Sequence, residues 1–174
     1  SGSDTHTASV TIGNIAPVIS AIQISPSSAV DNSDLLTCSA TANDSDGSIA
    51  MTNYSWENLT TASVIGSSAN VQLSSATSSP GDVIRCLVTV TDDSGDSSSQ
   101  STSITVENRH PSFSSAAVIS PNTGVVTGSS LSCNAAATDD DGGSPTVSYE
   151  WQQNGNFLAT GTSLTLNTAN SDPG

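Results

Sequence analysis

The sequence predicts an all-β protein built from antiparallel sandwich units, and two observations support this prediction. No stretch sustains the hydrophobic period of an amphipathic helix, whereas short runs alternate between apolar and polar residues, as in Ile-Arg-Cys-Leu-Val-Thr-Val at 84–90. Pro-Gly, Asp-Gly and serine-rich turns separate these runs. Alternating runs bounded by turn signals indicate half-buried strands that pair in antiparallel sheets.

A series of motifs in the first half of the chain returns in the second half. In the first copy the matched positions are Asn14, Pro17, Pro26, Cys38, 44–47 and 54–56. In the second copy their counterparts are, in the same order, Asn108, Pro111, Pro121, Cys133, 139–142 and 149–151. A repeat of roughly ninety residues is long enough for one small hydrophobic core. The sequence therefore predicts a tandem array of similar units.

The alternating runs of the first copy predict seven strands in chain order. We place them near 17–25, 34–42, 52–57, 61–65, 69–74, 82–91 and 101–107. We therefore expect residues 14–108 to form one complete unit. The second copy, 109–174, follows the same order through 164–166 and is expected to lack its last two strands. Residues 1–13 match the tract that ends at Asn108, and we predict that they are the last strand of a preceding repeat.

The charge balance excludes two classes of partner. Sixteen acidic residues stand against only two basic residues, Arg85 and Arg109, and the formal net charge is −14. Nucleic acids and anionic membranes require clustered lysine and arginine, so neither is expected as a partner. The apolar runs are too short to insert into a membrane. The acidity fits either solubility or the binding of divalent cations.

Three motifs resemble known repeats. The loop at 42–49 contains Asp-Ser-Asp-Gly, Tyr54-Ser55-Trp56 follows it, and 87–95 contains Val-Thr-Val-Thr-Asp. These motifs resemble the Ig-like and PKD-type (polycystic kidney disease) repeats of microbial surface and secreted proteins. The resemblance implies tandem immunoglobulin-like antiparallel β-sandwich domains, which serve as stalks, spacers, adhesins and accessory modules.

The cysteines add an immunoglobulin-type feature to this pattern. Cys38 and Cys86 lie on the second and sixth predicted strands at Ig-like spacing, and we expect a disulfide between facing sheets with Trp56 packed over it. Two buried free thiols are the alternative. A disulfide indicates an oxidising compartment, and hence an extracellular or cell-surface location. Trp151 is expected in the core of the second unit, where Cys133 corresponds to Cys38 and has no counterpart of Cys86.

Acidic side chains follow the second and sixth predicted strands, whose ends meet at one end of an Ig-like sandwich. Calcium takes six to eight oxygen ligands, which carboxylates and turn carbonyls supply. The candidate calcium ligands are Asp44, Asp46, Asp92, Asp93, Asp139 and Asp141. The alternative is that aspartate and glycine simply form tight turns.

The remaining motifs suggest modification rather than catalysis. Asn43, Asn53 and Asn58 each begin an Asn-x-Ser/Thr sequon and are candidate glycosylation sites. No Gly-x-Ser-x-Gly motif occurs, and the three glutamates do not recur at matching positions, so we do not expect an enzyme.

We expect a structural repeat of an extracellular fibre, stalk or surface filament. Its partners would be other copies of itself or neighbouring repeats, assembled by strand complementation. The alternative is an adhesin or carbohydrate-binding accessory module of a secreted protein.

Overall fold

The computed structural model describes residues 2–170 of the chain. It forms two compact units, which we call unit 1 (Ser1–Asn108) and unit 2 (Arg109–Gly174). Strands, turns and irregular segments make up the whole described range, so it contains no helix that could span a membrane. The prediction of an all-β, immunoglobulin-like antiparallel fold is confirmed.

Unit 1 contains seven strands in two sheets. They are β1 (Val18–Ser25), β2 (Leu35–Asn43), β3 (Ile49–Asn58), β4 (Ser63–Gly66), β5 (Asn70–Gln72), β6 (Val83–Asp92) and β7 (Ser97–Thr105). One sheet has the order β1-β2-β5 and the other has the order β4-β3-β6-β7, with antiparallel neighbours throughout. These strands lie within a few residues of the seven runs that the sequence predicts.

The core of unit 1 lies between these two sheets. Strand β6 shows why the sequence forms it, because every second residue of the strand is buried from Ile84 to Val90. Strands β2 and β5 contribute Leu36 and Val71 from the opposite sheet, and Trp56 is fully buried between the sheets. Such period-two burial is what a two-layer sandwich demands of its inner strands.

Residues 2–17 form no strand. Val10 and Ile12, which alternate with polar residues, are 87% and 90% exposed. The sequence analysis assigned residues 1–13 to the last strand of a preceding repeat. That assignment stays a prediction, and Ser1 itself lies outside the described residues.

Unit 2 contains five strands between Arg109 and Asn170. They are β8 (Ser112–Ser120), β9 (Ser130–Thr138), β10 (Glu150–Gln153), β11 (Asn156–Thr160) and β12 (Ser163–Thr165). Strands β12-β9-β8 form one sheet, and β10-β11 form a hairpin. Within this described range no strand takes the places of β6 and β7. Residues 171–174, at the end of the second predicted copy, lie outside the described residues.

Equivalent hydrogen bonds occur in the two units. The indole Nε1 of Trp56 donates to the carbonyl of Ser68 at 2.9 Å, and that of Trp151 donates to the carbonyl of Gly161 at 2.8 Å. The backbone N–H groups of Cys38 and Cys133 each donate a 2.8 Å hydrogen bond to a backbone carbonyl. In unit 1 this carbonyl lies just before β5, and in unit 2 it lies just before β12. The recurring sequence motifs therefore produce the same local structure twice.

Candidate functional site

A disulfide joins Cys38 on β2 to Cys86 on β6, and it therefore connects the two sheets of unit 1. Trp56 lies opposite Cys86 in the β3–β6 ladder and belongs to the same buried cluster. The bridge and the tryptophan stand where the sequence places them. In unit 2, Trp151 is also buried, at 7% exposed, and Cys133 is a half-buried free thiol.

Four aspartates of unit 1 lie at one end of the sandwich. Strand β2 ends at Asn43, just before Asp44 and Asp46, and strand β6 ends at Asp92, just before Asp93. The backbone N–H of Asp93 donates to the carbonyl of Ser48 at 3.0 Å, which ties the two loops together. The structure therefore places the four predicted carboxylates of unit 1 at the same end of the sandwich, which we call the acidic end.

Asp92 is the most buried member of the acidic end, at 2% exposed. Its Oδ1 accepts from the backbone N–H groups of Ser94 at 3.0 Å and Asp96 at 2.9 Å. The amide of Asn14 donates to Oδ2 of Asp92 and to Oδ2 of Asp96, at 2.8 Å in both cases. The hydrogen bond from Asn14 is the main reason that the pKa of Asp92 is lowered.

Asp46 and Asp93 hold other parts of the chain. Oδ2 of Asp46 accepts from the backbone N–H of Ile15 at 3.1 Å, and Oδ2 of Asp93 accepts from the hydroxyl of Ser48 at 2.9 Å. Together with Asn14, these contacts fasten the segment before β1 to the acidic end. The sequence analysis missed Asn14 and Ile15, although the recurrence of Asn14 as Asn108 was a signal.

Asp44 is the member of the acidic end whose carboxylate is not fully hydrogen-bonded. Its Oδ2 is buried and has no hydrogen-bond partner. A methyl group placed on Gly47 would lie 2.8 Å from this oxygen and 2.6 Å from Oδ1 of Asp93, so both oxygens approach the Gly47 backbone. Burial, followed by the side chain of Asp46 and the charges of Asp46 and Asp92, raises the pKa of Asp44.

The donor set of the acidic end has the chemistry of a calcium site, but its arrangement is incomplete. Carboxylate oxygens suit calcium, and the partnerless Oδ2 of Asp44 would gain from a cation. Among residues 2–170, however, no three acidic, histidine or cysteine side chains stand close enough together to hold a metal ion. Calcium binding by Asp44, Asp46, Asp92 and Asp93 stays a prediction.

The acidic loop of unit 2 has a different set of hydrogen bonds from the acidic end of unit 1. Oδ1 of Asp139 accepts from the backbone N–H of Asp141 at 2.9 Å, as in a tight turn. Oδ1 of Asp141 accepts from Nε of Arg109 at 2.9 Å, and Oδ2 accepts from the backbone N–H of Arg109. Oδ1 of Asp141 thus already faces a guanidinium and Oδ2 a backbone N–H, which counts against Asp141 as a calcium ligand. Calcium binding by Asp139 stays a prediction. The sequence analysis did not foresee the pairing of Arg109 with Asp141.

The three sequons differ in accessibility. Asn43 and Asn53 are exposed on β2 and β3. Asn58 is fully buried, and its Nδ2 donates to Oδ2 of Asp82 at 2.7 Å and to the carbonyl of Thr77 at 3.1 Å. A glycan on that nitrogen would require Asn58 to give up its buried position and its hydrogen bonds, which counts against the glycosylation site predicted there.

No protein-family model matches this chain, and no curated protein matches it. Among solved structures, the chain is similar to the PKD1 domain of the metalloprotease PrtV from Vibrio cholerae. That match has 26% sequence identity and a TM-score of 0.36, and it covers 53% of this chain and 99% of that chain. The immunoglobulin-like antiparallel fold stands on the strand pairing described above.

Proposed function

We propose that this chain is a non-catalytic structural segment of an extracellular fibre, stalk or surface filament made of tandem Ig-like repeats. The observation that carries the proposal is the Cys38–Cys86 disulfide, which joins the two sheets of unit 1. A covalent bond across the sandwich prevents the sheets from separating when the chain is pulled from its ends. Unit 2 repeats the same tryptophan and cysteine positions, which supports a serial arrangement.

The disulfide and the charge together support an extracellular location. Structural disulfides persist in oxidising compartments and are rare where thiols are kept reduced. A net charge of −14 with no lysine keeps neighbouring filaments apart and leaves few cleavage sites for proteases that cut after basic residues.

Assembly through strand complementation is part of this proposal. Val10 and Ile12 alternate with polar residues and are almost fully exposed, as expected for a strand whose acceptor sheet is elsewhere. An extended segment adds to a sheet through main-chain hydrogen bonds, and its alternate side chains provide specificity. The partners would be other copies of this chain or neighbouring repeats.

Single-molecule stretching of unit 1 from handles at Asn14 and Asn108 tests the mechanical role. The two cysteines are separated by 48 residues. Reduction should therefore release about 170 Å of additional chain, at about 3.6 Å per extended residue. The oxidised unit should unfold in one sharp event. A gradual extension of the oxidised unit at low force would contradict the proposal.

The second candidate function is an adhesin or a carbohydrate-binding accessory module. Two aromatic side chains of unit 2, Phe113 and Phe157, are 70% and 62% exposed, and exposed aromatic rings are typical of sugar-binding surfaces. A glycan array probed with the oxidised chain and with Phe157→Ser separates the two functions. Saturable binding that the substitution removes would favour the adhesin, whereas the structural proposal predicts no binding by either protein.

A further inference from the structure

The β10–β11 hairpin of unit 2 turns at an exposed Asn-Gly pair. Asn154 and Gly155 alone join the two strands, and Gln153 pairs with Asn156 on either side of them. Both turn residues lie in the left-handed region, with φ of 50° and 81°. Positive φ at both central positions is typical of a type I′ turn, for which Asn-Gly is a preferred sequence. The turn therefore depends only on the residues of this hairpin.

The polar groups of this turn are open to solvent. Asn154 and Gly155 are both exposed. Among residues 2–170, neither the side-chain amide of Asn154 nor the backbone N–H of Gly155 has a hydrogen-bond partner. A methyl group placed on Gly155 would meet no atom within 4 Å. The backbone nitrogen of Gly155 and the side-chain carbonyl carbon of Asn154 are consequently free to approach each other.

The chain has two further pairs in which a side-chain carbonyl group precedes glycine, and the fold restrains both. These are the Asp-Gly pairs at 46–47 and 141–142. The first aspartate accepts from the backbone N–H of Ile15 at 3.1 Å. The second aspartate is 8% exposed and is bonded to Arg109, and the glycine after it donates its N–H to the carbonyl of Asp139 at 3.2 Å. The Asn-Gly turn is therefore the least restrained of the three pairs.

We propose that Asn154 is a site of spontaneous covalent modification, at which deamidation produces aspartate and isoaspartate. The reaction consumes only water and needs no enzyme. It adds a negative charge to the tip of the hairpin, and the modified fraction grows with the age of the molecule. The inference goes beyond the proposed structural function and does not depend on it, because it rests on the chemistry of a single turn.

The reaction proceeds through a cyclic imide. The deprotonated backbone nitrogen of Gly155 attacks Cγ of Asn154, the new C–N bond closes a five-membered succinimide ring, and the side-chain nitrogen leaves as ammonia. Water then opens the ring. Attack of water at the side-chain carbonyl gives aspartate, whereas attack at the main-chain carbonyl gives isoaspartate, in which the main chain runs through the side-chain carbons. One water is consumed and one ammonia is released, with no change in oxidation state.

The two products have different consequences for the hairpin. Asp-Gly is, like Asn-Gly, a preferred sequence for a type I′ turn, so aspartate should leave the turn intact. Isoaspartate lengthens the main chain by one methylene group, and a two-residue turn cannot absorb this without a change in the pairing of its strands. Trp151 is buried and pairs with Ala159 in the same ladder. Its fluorescence should therefore respond to isoaspartate and not to aspartate.

Timed incubation of the intact oxidised chain in warm, mildly alkaline buffer tests the proposal. Peptide mapping by mass spectrometry should show –NH2 replaced by –OH at Asn154, and protein isoaspartyl methyltransferase should label the isoaspartate fraction. Asn156, which is exposed in the same hairpin and precedes Phe157, is the internal control. Conversion at Asn154 should be at least about tenfold faster, because Phe157 carries a Cβ beside its backbone nitrogen and Gly155 has none.

Two variants separate the reaction from its structural effect. Asn154→Gln keeps an amide but requires a larger ring, and it should lose the conversion at this position. Asn154→Asp carries one product from the start and should retain the tryptophan fluorescence of the fresh native chain, whereas the aged, isoaspartate-containing chain should not. Conversion at Asn154 no faster than at Asn156, or isoaspartate forming at Asp141 as quickly as at Asn154, would overturn the proposal. Unchanged fluorescence in the aged chain would overturn the predicted effect on the hairpin.

Discussion

Trp56 faces Cys86 across the β3–β6 ladder, and its indole Nε1 donates a 2.9 Å hydrogen bond to the carbonyl of Ser68. One side chain thereby packs beside the covalent bridge between the sheets and anchors the loop that precedes β5. The hydrogen bond also satisfies the polar atom of an otherwise buried ring, as buried tryptophan requires. The stability of unit 1 therefore depends on a few residues around this pair.

Removal of the disulfide should weaken unit 1 strongly. In the double variant Cys38→Ala/Cys86→Ala, the free energy of unfolding should fall by about 4 kcal/mol, because the unfolded chain regains the freedom of a 48-residue loop. Urea unfolding followed by tryptophan fluorescence measures this, with Trp151→Phe as the background so that only Trp56 reports. Cys133→Ala is the control and should leave the unit 1 transition unchanged.

Asn58 should contribute to stability through its buried hydrogen bonds. Besides its two donor contacts, its Oδ1 accepts from the backbone N–H groups of Thr60 at 3.0 Å and Thr61 at 3.3 Å. Asn58→Ala leaves buried partners, including Asp82, without their hydrogen bonds and should cost about 2–3 kcal/mol. Asn53→Ala, at an exposed position of the same strand, should change the free energy of unfolding by less than about 0.5 kcal/mol.

Accessibility should decide which sequons carry glycans. When the chain is secreted from a host that performs N-glycosylation, glycopeptide mass spectrometry should find glycans at Asn43 or Asn53 and none at Asn58. The nitrogen of Asn58 is fully buried and already donates two hydrogen bonds. A glycan on Asn58 in the folded, disulfide-bonded protein would show that the hydrogen bonds around this residue are wrongly described.

The raised pKa of Asp44 predicts a pH-dependent effect of its charge. Because burial raises the pKa in the folded state, protonated Asp44 favours folding at low pH, and this stability is lost as the pH rises through the folded-state pKa. Asp44→Asn should therefore be more stable than the native protein at neutral pH in the presence of a chelator, and equally stable below the pKa of the unfolded chain. Thermal unfolding across pH 3–8 checks this, and a native protein that is more stable at neutral pH would contradict it.

The acidic loops should differ in their response to calcium. We expect millimolar calcium to raise the melting temperature of unit 1 more than that of unit 2, because Arg109 already supplies a positive charge to Asp141. Magnesium and Arg109→Gln serve as controls for general ionic effects and for the internal cation. Equal shifts for calcium and magnesium, or no shift in unit 1, would count against a calcium site.

Local sequence patterns predicted most of the strands of unit 1. The prediction was inaccurate where a strand has no alternating apolar pattern. The alternation at 84–90 placed β6 within a residue, because its period two is a direct consequence of burial between sheets. Strand β7 begins at Ser97, earlier than expected, since the polar run 97–100 has no apolar signal and becomes a strand only by pairing with β6. Tertiary pairing overrides weak propensity in such segments.

The hydrogen bonds and ion pairs of the candidate site were harder to predict than the strands, for a physical reason. The ends of β2 and β6 located the aspartates of unit 1, but the contacts that organise them join residues far apart in sequence. Asn14 and Asp92 are separated by 78 positions, and Arg109 and Asp141 by 32. The burial of Asn58 depends in the same way on Asp82 across the fold. A single sequence shows residue types at such positions, but only the fold shows that they meet.

Cryo-electron microscopy of the native material tests the structural role most directly. We expect a periodic filament of Ig-like units, with residues 7–13 paired as a strand in the sheet of an adjacent unit. A discrete particle in which residues 7–13 remain unpaired and a ligand occupies an exposed surface would contradict the filament and favour the adhesin or accessory module.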